Sequence, residues 1–290
     1  MTLPASGTIS LGQTDVELGL PATQYIGLGD ANVRTLFGVP SGTIWLSNGY
    51  GKSHIVTFVF NPTISSHTFN YNLKASAIAA GWDQTSPLSS SVTINAGVVV
   101  GSAILSNGYY GFDTGAGFPS GSTISLINNG YIVGAGGTGG QGGDGQAAMA
   151  GNGSGGSPAL LAQHVISITN NGIIGGGGGG GGGGEGITDP ASVGGGGGGG
   201  AGDLVGDGGA PQMSANSTVA GHRGMPGALT VGRGGGGGRG GAYDGGAGGN
   251  LGVSGVSAWI GGVGGDPGAA VTGNAYITWQ VTGTRLGPIL

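Results

Sequence analysis

The 290-residue chain has no cysteine, which removes disulfides, thiolate metal sites and cysteine nucleophiles together. Charge is scarce too: 7% of residues are charged, only seven are Lys or Arg, and the net charge is −5. So few cations leave no electrostatic footprint for nucleic acid or an anionic membrane. No stretch of about 20 apolar residues is present to span a bilayer, so membrane insertion is not expected. The opening Met1-Thr2-Leu3-Pro4 lacks a basic region followed by an apolar block, so no signal peptide is expected and synthesis in a cytosol is. His54, His67, His164 and His222 are far apart and lack metal-ligand spacing. The 12 carboxylates are dispersed, with no pair for glycoside hydrolysis. Gly51-Lys52-Ser53 lacks the glycine that a phosphate loop needs five positions earlier, where Leu46 stands. The expectation is therefore no enzyme, no catalytic residue, no metal and no cofactor.

What the chain has in excess is glycine, 78 residues of it, in runs at Gly175–Gly184, Gly194–Gly200 and Gly234–Gly238. In Gly134–Gly145 the interruptions Ala135, Thr138, Gln141 and Asp144 fall three apart. A polyproline II-type helix has three residues per turn, so these four side chains share one face and leave bare backbone on the others. Arg233 and Arg239 lie two such turns apart; Asp244, Ala247 and Asn250, and Val263, Asp266 and Ala269, repeat the spacing. Such a helix makes no internal hydrogen bonds, so its N–H and C=O groups need partners on neighbours, which bare glycine lets approach. The pattern predicts an ordered sheaf of glycine helices. Collagen is excluded, since there are only 12 prolines and no strict triplet repeat. A disordered linker fits poorly with 37% hydrophobic residues.

Residues 1–53 carry short alternating segments at Thr8–Leu11, Tyr25–Leu28 and Thr43–Leu46, read as half-buried strands. Asp30 suits a helix N-cap, Gly38 a C′ position, and Asn48-Gly49 a turn. Residues 54–120 have ordinary composition: strands are expected at His54–Phe60, Ser91–Val100 and Ala103–Leu105, and a helix from Asn72 that Gly81 stops. Residues 121–290 hold the glycine blocks. Within them Ile124–Gly130 returns 42 residues later as Ile166–Gly172, each copy a strand, a tight Asn-Asn-Gly hairpin turn and a short apolar segment before glycine. A weaker echo is Ala228–Val231, and Asn274–Val281 alternates as a closing strand. The fold class expected is mainly β: short β-rich N-terminal modules, then a polyglycine II helix sandwich interleaved with β-hairpins.

The series Ser6–Leu11 (Ser-Gly-x-Ile-Ser-Leu), Val16–Gly19, Leu28–Gly38 (Leu-Gly-Asp-x-x-Val-Arg-x-Leu-x-Gly) and Ser41–Lys52 resembles a short N-terminal module of bacteriophage tail-fibre and other virion proteins. The order Ala80–Asp83, Val92–Val100 and the Asn-Asn-Gly turn ahead of glycine also resembles phage tail proteins. Glycine blocks separated by the insertions Gln146–Ser157, Glu185–Val193, Asp203–Arg223, Ala242–Asp244 and Leu251–Ile260 are similar to the tail-fibre tip adhesins of T-even-like phages, over roughly residues 121–275. That resemblance implies a polyglycine II scaffold whose loops contact a host receptor. It makes residues 1–53 a virion attachment module, 54–120 a small β-rich domain and 121–290 the glycine domain. Implied partners are other phage tail proteins and a bacterial surface receptor, protein or polysaccharide, with a homo-oligomer left open. The location implied is the virion tail, assembled in the host cytoplasm. Candidate receptor contacts are Glu185, Asp189, Asp203, Asp207, Met213, His222, Arg223, Tyr243 and Trp259, with Tyr243 and Trp259 as aromatic anchors. Two other readings stand beside this one: a virion connector or decoration protein without receptor specificity, and a glycine-rich binding protein of the ice- or RNA-binding kind, the latter suggested by the Arg-Gly-Gly stretches at Arg233 and Arg239.

Overall fold

The computed structural model describes residues 2–54, 56–103, 109–145, 149–188, 191–203, 206–210, 224, 227–228 and 234–290. The chain divides into two compact units, Met1–Thr57 and Phe58–Leu290.

In the first unit, the strands expected at Thr8–Leu11, Tyr25–Leu28 and Thr43–Leu46 are absent; helices Leu11–Glu17 and Ala31–Phe37 and a 3₁₀ turn Leu46–Gly49 take the room. The local reason is capping. The Gln13 N–H donates to Ser10 Oγ (3.2 Å) while the Ser10 N–H donates to Gln13 Oε1 (2.8 Å), a reciprocal box that satisfies two orphan donors and starts the first helix. Asp30 is the N-cap of the second helix by position, but its carboxylate accepts from the Gly27 N–H instead (2.9 Å). Gly38 closes that helix in the left-handed conformation at φ 73°, as expected of a C′-type glycine. Leu3, Ile9, Ile26, Val33, Leu36 and Phe37 form the core of this unit. Gly49 is fixed by it, since a methyl group there would lie 2.6 Å from the Phe37 ring.

The second unit is a stack of five coils. Coil 1 runs through Phe58–Phe60 with Thr63–Ile64, then Thr68–Phe69, then Tyr71–Asn72; coil 2 through Leu88–Ile94, Val99–Gly101 and Phe112–Asp113. Coil 3 comprises Thr123–Asn128, Tyr131–Val133 and Leu160–Leu161; coil 4, Ile166–Asn170, Ile173–Gly175 and Val271–Thr272; coil 5, Ile277–Val281 and Thr284–Leu286, with Ile289 bridging back to Val271. Each strand pairs in parallel with its counterparts in the coils before and after, giving three parallel ladders. This is a parallel β-solenoid. Hairpins at Asn128–Gly130 and Asn170–Gly172 are therefore corrected: both are corners between two faces of a coil, and the 42-residue repeat is one coil laid in register on the next. Residue 120 is likewise no boundary, because Leu88–Ile94 and Thr123–Asn128 pair along their length.

Side chains of like position stack through the coils. Val92, Leu126 and Ile168 align on the first face, Val100, Ile132 and Ile174 on the second, Phe112, Leu160 and Val271 on the third, and all nine are fully buried. At the first corner the buried Asn128 donates through Nδ2 to Asn170 Oδ1 (2.8 Å), and Asn170 donates to the Thr282 and Thr284 carbonyls (2.9 and 3.2 Å). The helix Leu73–Ala79, capped by the Asn72 side chain on the Ala75 N–H (2.8 Å), follows coil 1.

The corner between second and third faces is where the coils differ. One residue, Asn70, separates the two strands in coil 1; in sequence, 102–111 separate them in coil 2, 134–159 in coil 3 and 176–270 in coil 4. The glycine blocks are thus excursions from a single edge of the solenoid. They lie as extended rods bonded backbone to backbone. In the buried central rod, the N–H groups of Gly177, Gly180 and Gly183 donate to Ser157, Ser154 and Gly151, and those of Gly178, Gly181 and Gly184 to Ala201, Gly198 and Gly195. Gly179 and Gly182 donate to Val253 and Val256. Its carbonyls accept from three further rods: Gly134, Gly137, Gly140 and Gly143; Gly246, Gly249 and Gly252; Gly262, Gly265 and Gly268. Six neighbours surround one rod, each met every third residue. The weak echo at Ala228–Val231 and the strand expected at Ala103–Leu105 fall wholly or mostly outside the described residues.

Candidate functional site: the far end of the glycine rods

The rods leave the coils at Gly134, Ser157, Gly176 and Gly268. About ten residues along they end and must turn. The rod ends come together there. The Glu185 N–H donates to the Ile260 carbonyl (2.8 Å), and Gly184 and Gly261 form an antiparallel bridge. Glu185 Oε2 accepts from the Ala150 N–H (2.9 Å) and Oε1 from the Gly186 N–H (3.2 Å). Glu185 thus ties the chain at Ala150, the turn after Gly184 and, through its backbone N–H, the chain before Gly261. The Tyr243 carbonyl accepts from Gly195 (3.0 Å), and the Asp244 carboxylate holds the Gly240 N–H (2.9 Å). The short antiparallel pair Ile187–Thr188 with Ala191–Ser192 projects from the same end.

These turns carry large apolar side chains that nothing covers: Trp259 is 91% exposed, Met149 86%, and Ile260 is exposed beside them. Removing so much apolar surface from water favours contact with a partner by roughly 25 cal/mol per Å².

Among the nine residues proposed from sequence, three gather here. Trp259 is displayed, Tyr243 is half-buried, and Glu185 is a clamp for the turns more than a displayed group. Asp207 is exposed partway along a rod, its carbonyl accepting from the Gly139 N–H (2.8 Å). Asp203 does not join them. It sits at the opposite end, against the coils, where its N–H donates to the Gly134 carbonyl (3.1 Å) and Oδ2 meets His67 Nε2 at 2.7 Å, with 3% of the side chain exposed. Burial raises its pKa above the ordinary carboxylate value, against the opposing hydrogen bond and charge of His67. The carboxylate therefore stands away from the far-end turns and against coil 1. Asp189, Met213, His222 and Arg223 lie outside the described residues.

Sequence reasoning missed Met149 and Ile260, and it read Leu251–Ile260 as a loop. Most of that stretch is a rod: Val253 and Val256 bond to the central rod and point outward, three residues apart and in line with Trp259. The period of three that located the other rods is present here and went unused.

No helix among the described residues is long and apolar enough to cross a membrane, and no group of three His, Cys, Asp or Glu among them is placed to hold a metal. No curated protein matches the chain. Among solved structures, it is similar to the gp37–gp38 adhesin tip complex of the bacteriophage S16 long tail fibre, at 25% identity over 89% of this chain and 91% of that one, with a TM-score of 0.57. The family model of the phage tail fibre adhesin Gp38 matches residues 59–290, from the first strand of coil 1 to the last residue. All but the first residue of the solenoid, and the rods and exposed far-end turns entirely, thus fall within the match, and the chain belongs to the Gp38 family of phage tail-fibre adhesins.

Proposed function

We propose that this tail-fibre adhesin reads a receptor on the host surface, protein or polysaccharide, with the turns at the far end of its glycine rods. The observation that carries the reading is the exposed Trp259, with Met149 and Ile260, on turns clamped together by Glu185. Aromatic side chains bury large areas at modest entropy loss and dominate binding hot spots. A rigid support keeps the ordering cost of binding low.

We infer further that the rods are polyglycine II helices. Consecutive N–H groups along Gly177–Gly184 take three partners in rotation, as a threefold extended helix requires. Met1–Thr57 lies wholly outside the family match; together with its tail-fibre-like motif series, this supports a role in holding the chain to the virion. The S16 relative is solved with gp37, so the partner proposed here is another tail protein, met in the host cytoplasm during assembly.

Competition tests the reading. Purified chain added to host cells should block phage adsorption, and Trp259→Ala should weaken the block about tenfold or more while the melting temperature holds. A folded chain that does not compete would leave a connector or decoration role.

A further inference from the structure

We propose that the side of the glycine sandwich carries a second binding site, a groove for a neutral oligosaccharide. Two depressions adjoin along the outer surface. One, of about 370 Å³, is lined by Asn152, Gly155, Val263 and Asp266; the other, of about 290 Å³, by Tyr110, Pro158 and Thr272; both share Gly156 and Pro267. Together they reach the size of small-ligand sites. The walls are two rods bonded at three-residue intervals, with Gly153 N–H donating to the Val263 carbonyl and Gly156 N–H to that of Asp266 (both 2.9 Å). Such a frame is set before any ligand arrives.

The lining selects the ligand. Asn152 accepts from the Val263 N–H through Oδ1 (2.9 Å), which orients its Nδ2 as a donor for the groove. Exposed Asp266 brings a carboxylate and half-buried Thr272 a hydroxyl, while half-buried Tyr110 and Pro267 offer apolar surface. Acceptors, donors and a stacking surface in one trough suit a polyhydroxylated ring. No Lys or Arg lines either depression, and none occurs between Arg239 and Arg285. A phosphorylated or carboxylated glycan would face Asp266 without a countercharge, so the neutral class fits.

Gly155 supports the assignment. At the packed glycines of the central rod an added methyl group would overlap neighbouring backbone, but at exposed Gly155 it would meet nothing nearer than the Asp266 carbonyl oxygen at 3.4 Å, an ordinary contact. Packing does not demand glycine there. Its effect is to keep the floor of the groove open. The groove is separate from the far-end turns and stands or falls apart from them.

The test titrates neutral oligosaccharides, released from host surface polysaccharide and freed of phosphorylated fragments by anion exchange, into the whole chain by calorimetry. Saturable binding is expected, weakened about tenfold by Asp266→Asn and abolished by Gly155→Leu, which fills the trough without entering the rods. Trp259→Ala should leave this binding intact. Should Gly155→Leu fail to fold, Asn152→Ala takes its place, with a loss similar to that of Asp266→Asn. Absence of binding, a preference for the phosphorylated fragments, or binding unchanged in both groove variants would overturn the proposal.

Discussion

Coils and glycine rods belong to one compact unit and are built from the same elements, extended backbone bonded to extended backbone, yet they fill their interiors in opposite ways. In the coils, strands enclose side chains: Leu126 sits between Val92 and Ile168, and the core is hydrocarbon. Around the central rod, Gly177–Gly184, the nearest neighbours are backbone, and the interior is the hydrogen-bonded backbone of six neighbours around one. A side-chain core can relax around a change in volume. A backbone core has no rotamers with which to do so.

The sharpest way to break this comparison is to add an isopropyl group at the centre of the sheaf. A Cβ at Gly179 would overlap the Gly265 carbonyl oxygen and lie 2.9 Å from Gly255 N. Overpacking a side-chain core costs about 1–3 kcal/mol; with only backbone to displace, Gly179→Val should exceed this and prevent the sandwich from forming. Soluble yield and protease resistance of residues 176–270 would report it. If the variant melts like the parent, the rods are not packed. Gly155→Ala, on the open groove, is the control and should stay within about 0.5 kcal/mol.

Next in size is the matching deletion in the coils. Leu126→Ala leaves a cavity in the solenoid core and should cost about 2–5 kcal/mol, read as a lowered denaturation midpoint with the fold retained. A loss as complete as that of Gly179→Val would erase the distinction between the two interiors.

The same contrast explains what the sequence made legible. Glycine rods announced themselves through a period of three at Ala135, Thr138, Gln141 and Asp144, because each position either faces a neighbour or does not. The solenoid announced its repeat at Asn128 and Asn170 but not its topology. Asn-Asn-Gly is a local signal that serves a hairpin and a coil corner equally well, and what separates them is the partner strand. For Ile166–Asn170 that partner is Ile277–Val281, beyond the whole glycine excursion. Helices in Met1–Thr57 were hidden by brevity: seven residues show barely two turns of periodicity, and the Ser10–Gln13 box was the better signal. At the site, Trp259 stood out as an aromatic among glycines. Asp203 looked the same as any loop carboxylate until His67, from coil 1, closed over it.

A smaller effect is expected at the asparagine corner. Asn170→Ala removes the acceptor of Asn128 Nδ2 and the donor to the Thr282 and Thr284 carbonyls. Buried polar groups left unpaired cost about 1–3 kcal/mol, so the midpoint should fall by less than for Leu126→Ala. The coil 4 to coil 5 join should lose protection first in hydrogen exchange. Loss of protection spread evenly over all five coils would mean that the corner is no local tie.

The smallest expected effect sets two carboxylates against each other by the sign of their pH dependence. Asp83, in a turn after coil 1, accepts from the Ser86 and Thr85 N–H groups (2.9 and 3.0 Å) and from the Thr85 hydroxyl (2.8 Å), and its pKa falls to about 2. A folded value below the unfolded one contributes stability above the ordinary carboxylate range, lost as pH drops toward 2. Asp203, where coils and rods meet, is raised by burial, so its contribution runs the other way: present below the ordinary range, and lost as pH rises through the folded value. Asp203→Asn keeps an oxygen to accept from His67 and removes the buried charge. It should therefore raise the melting temperature slightly at pH 7, and the gain should vanish at pH 3, where Asp203 is already protonated. Asp83→Asn should lower the melting temperature at pH 7 and approach the parent as pH falls toward 2. Thermal melts of both variants at pH 7 and pH 3 read the two signs. A fall in melting temperature for Asp203→Asn at pH 7 would show that the His67 ion pair outweighs desolvation, and that the coils hold the rods there by charge rather than in spite of it.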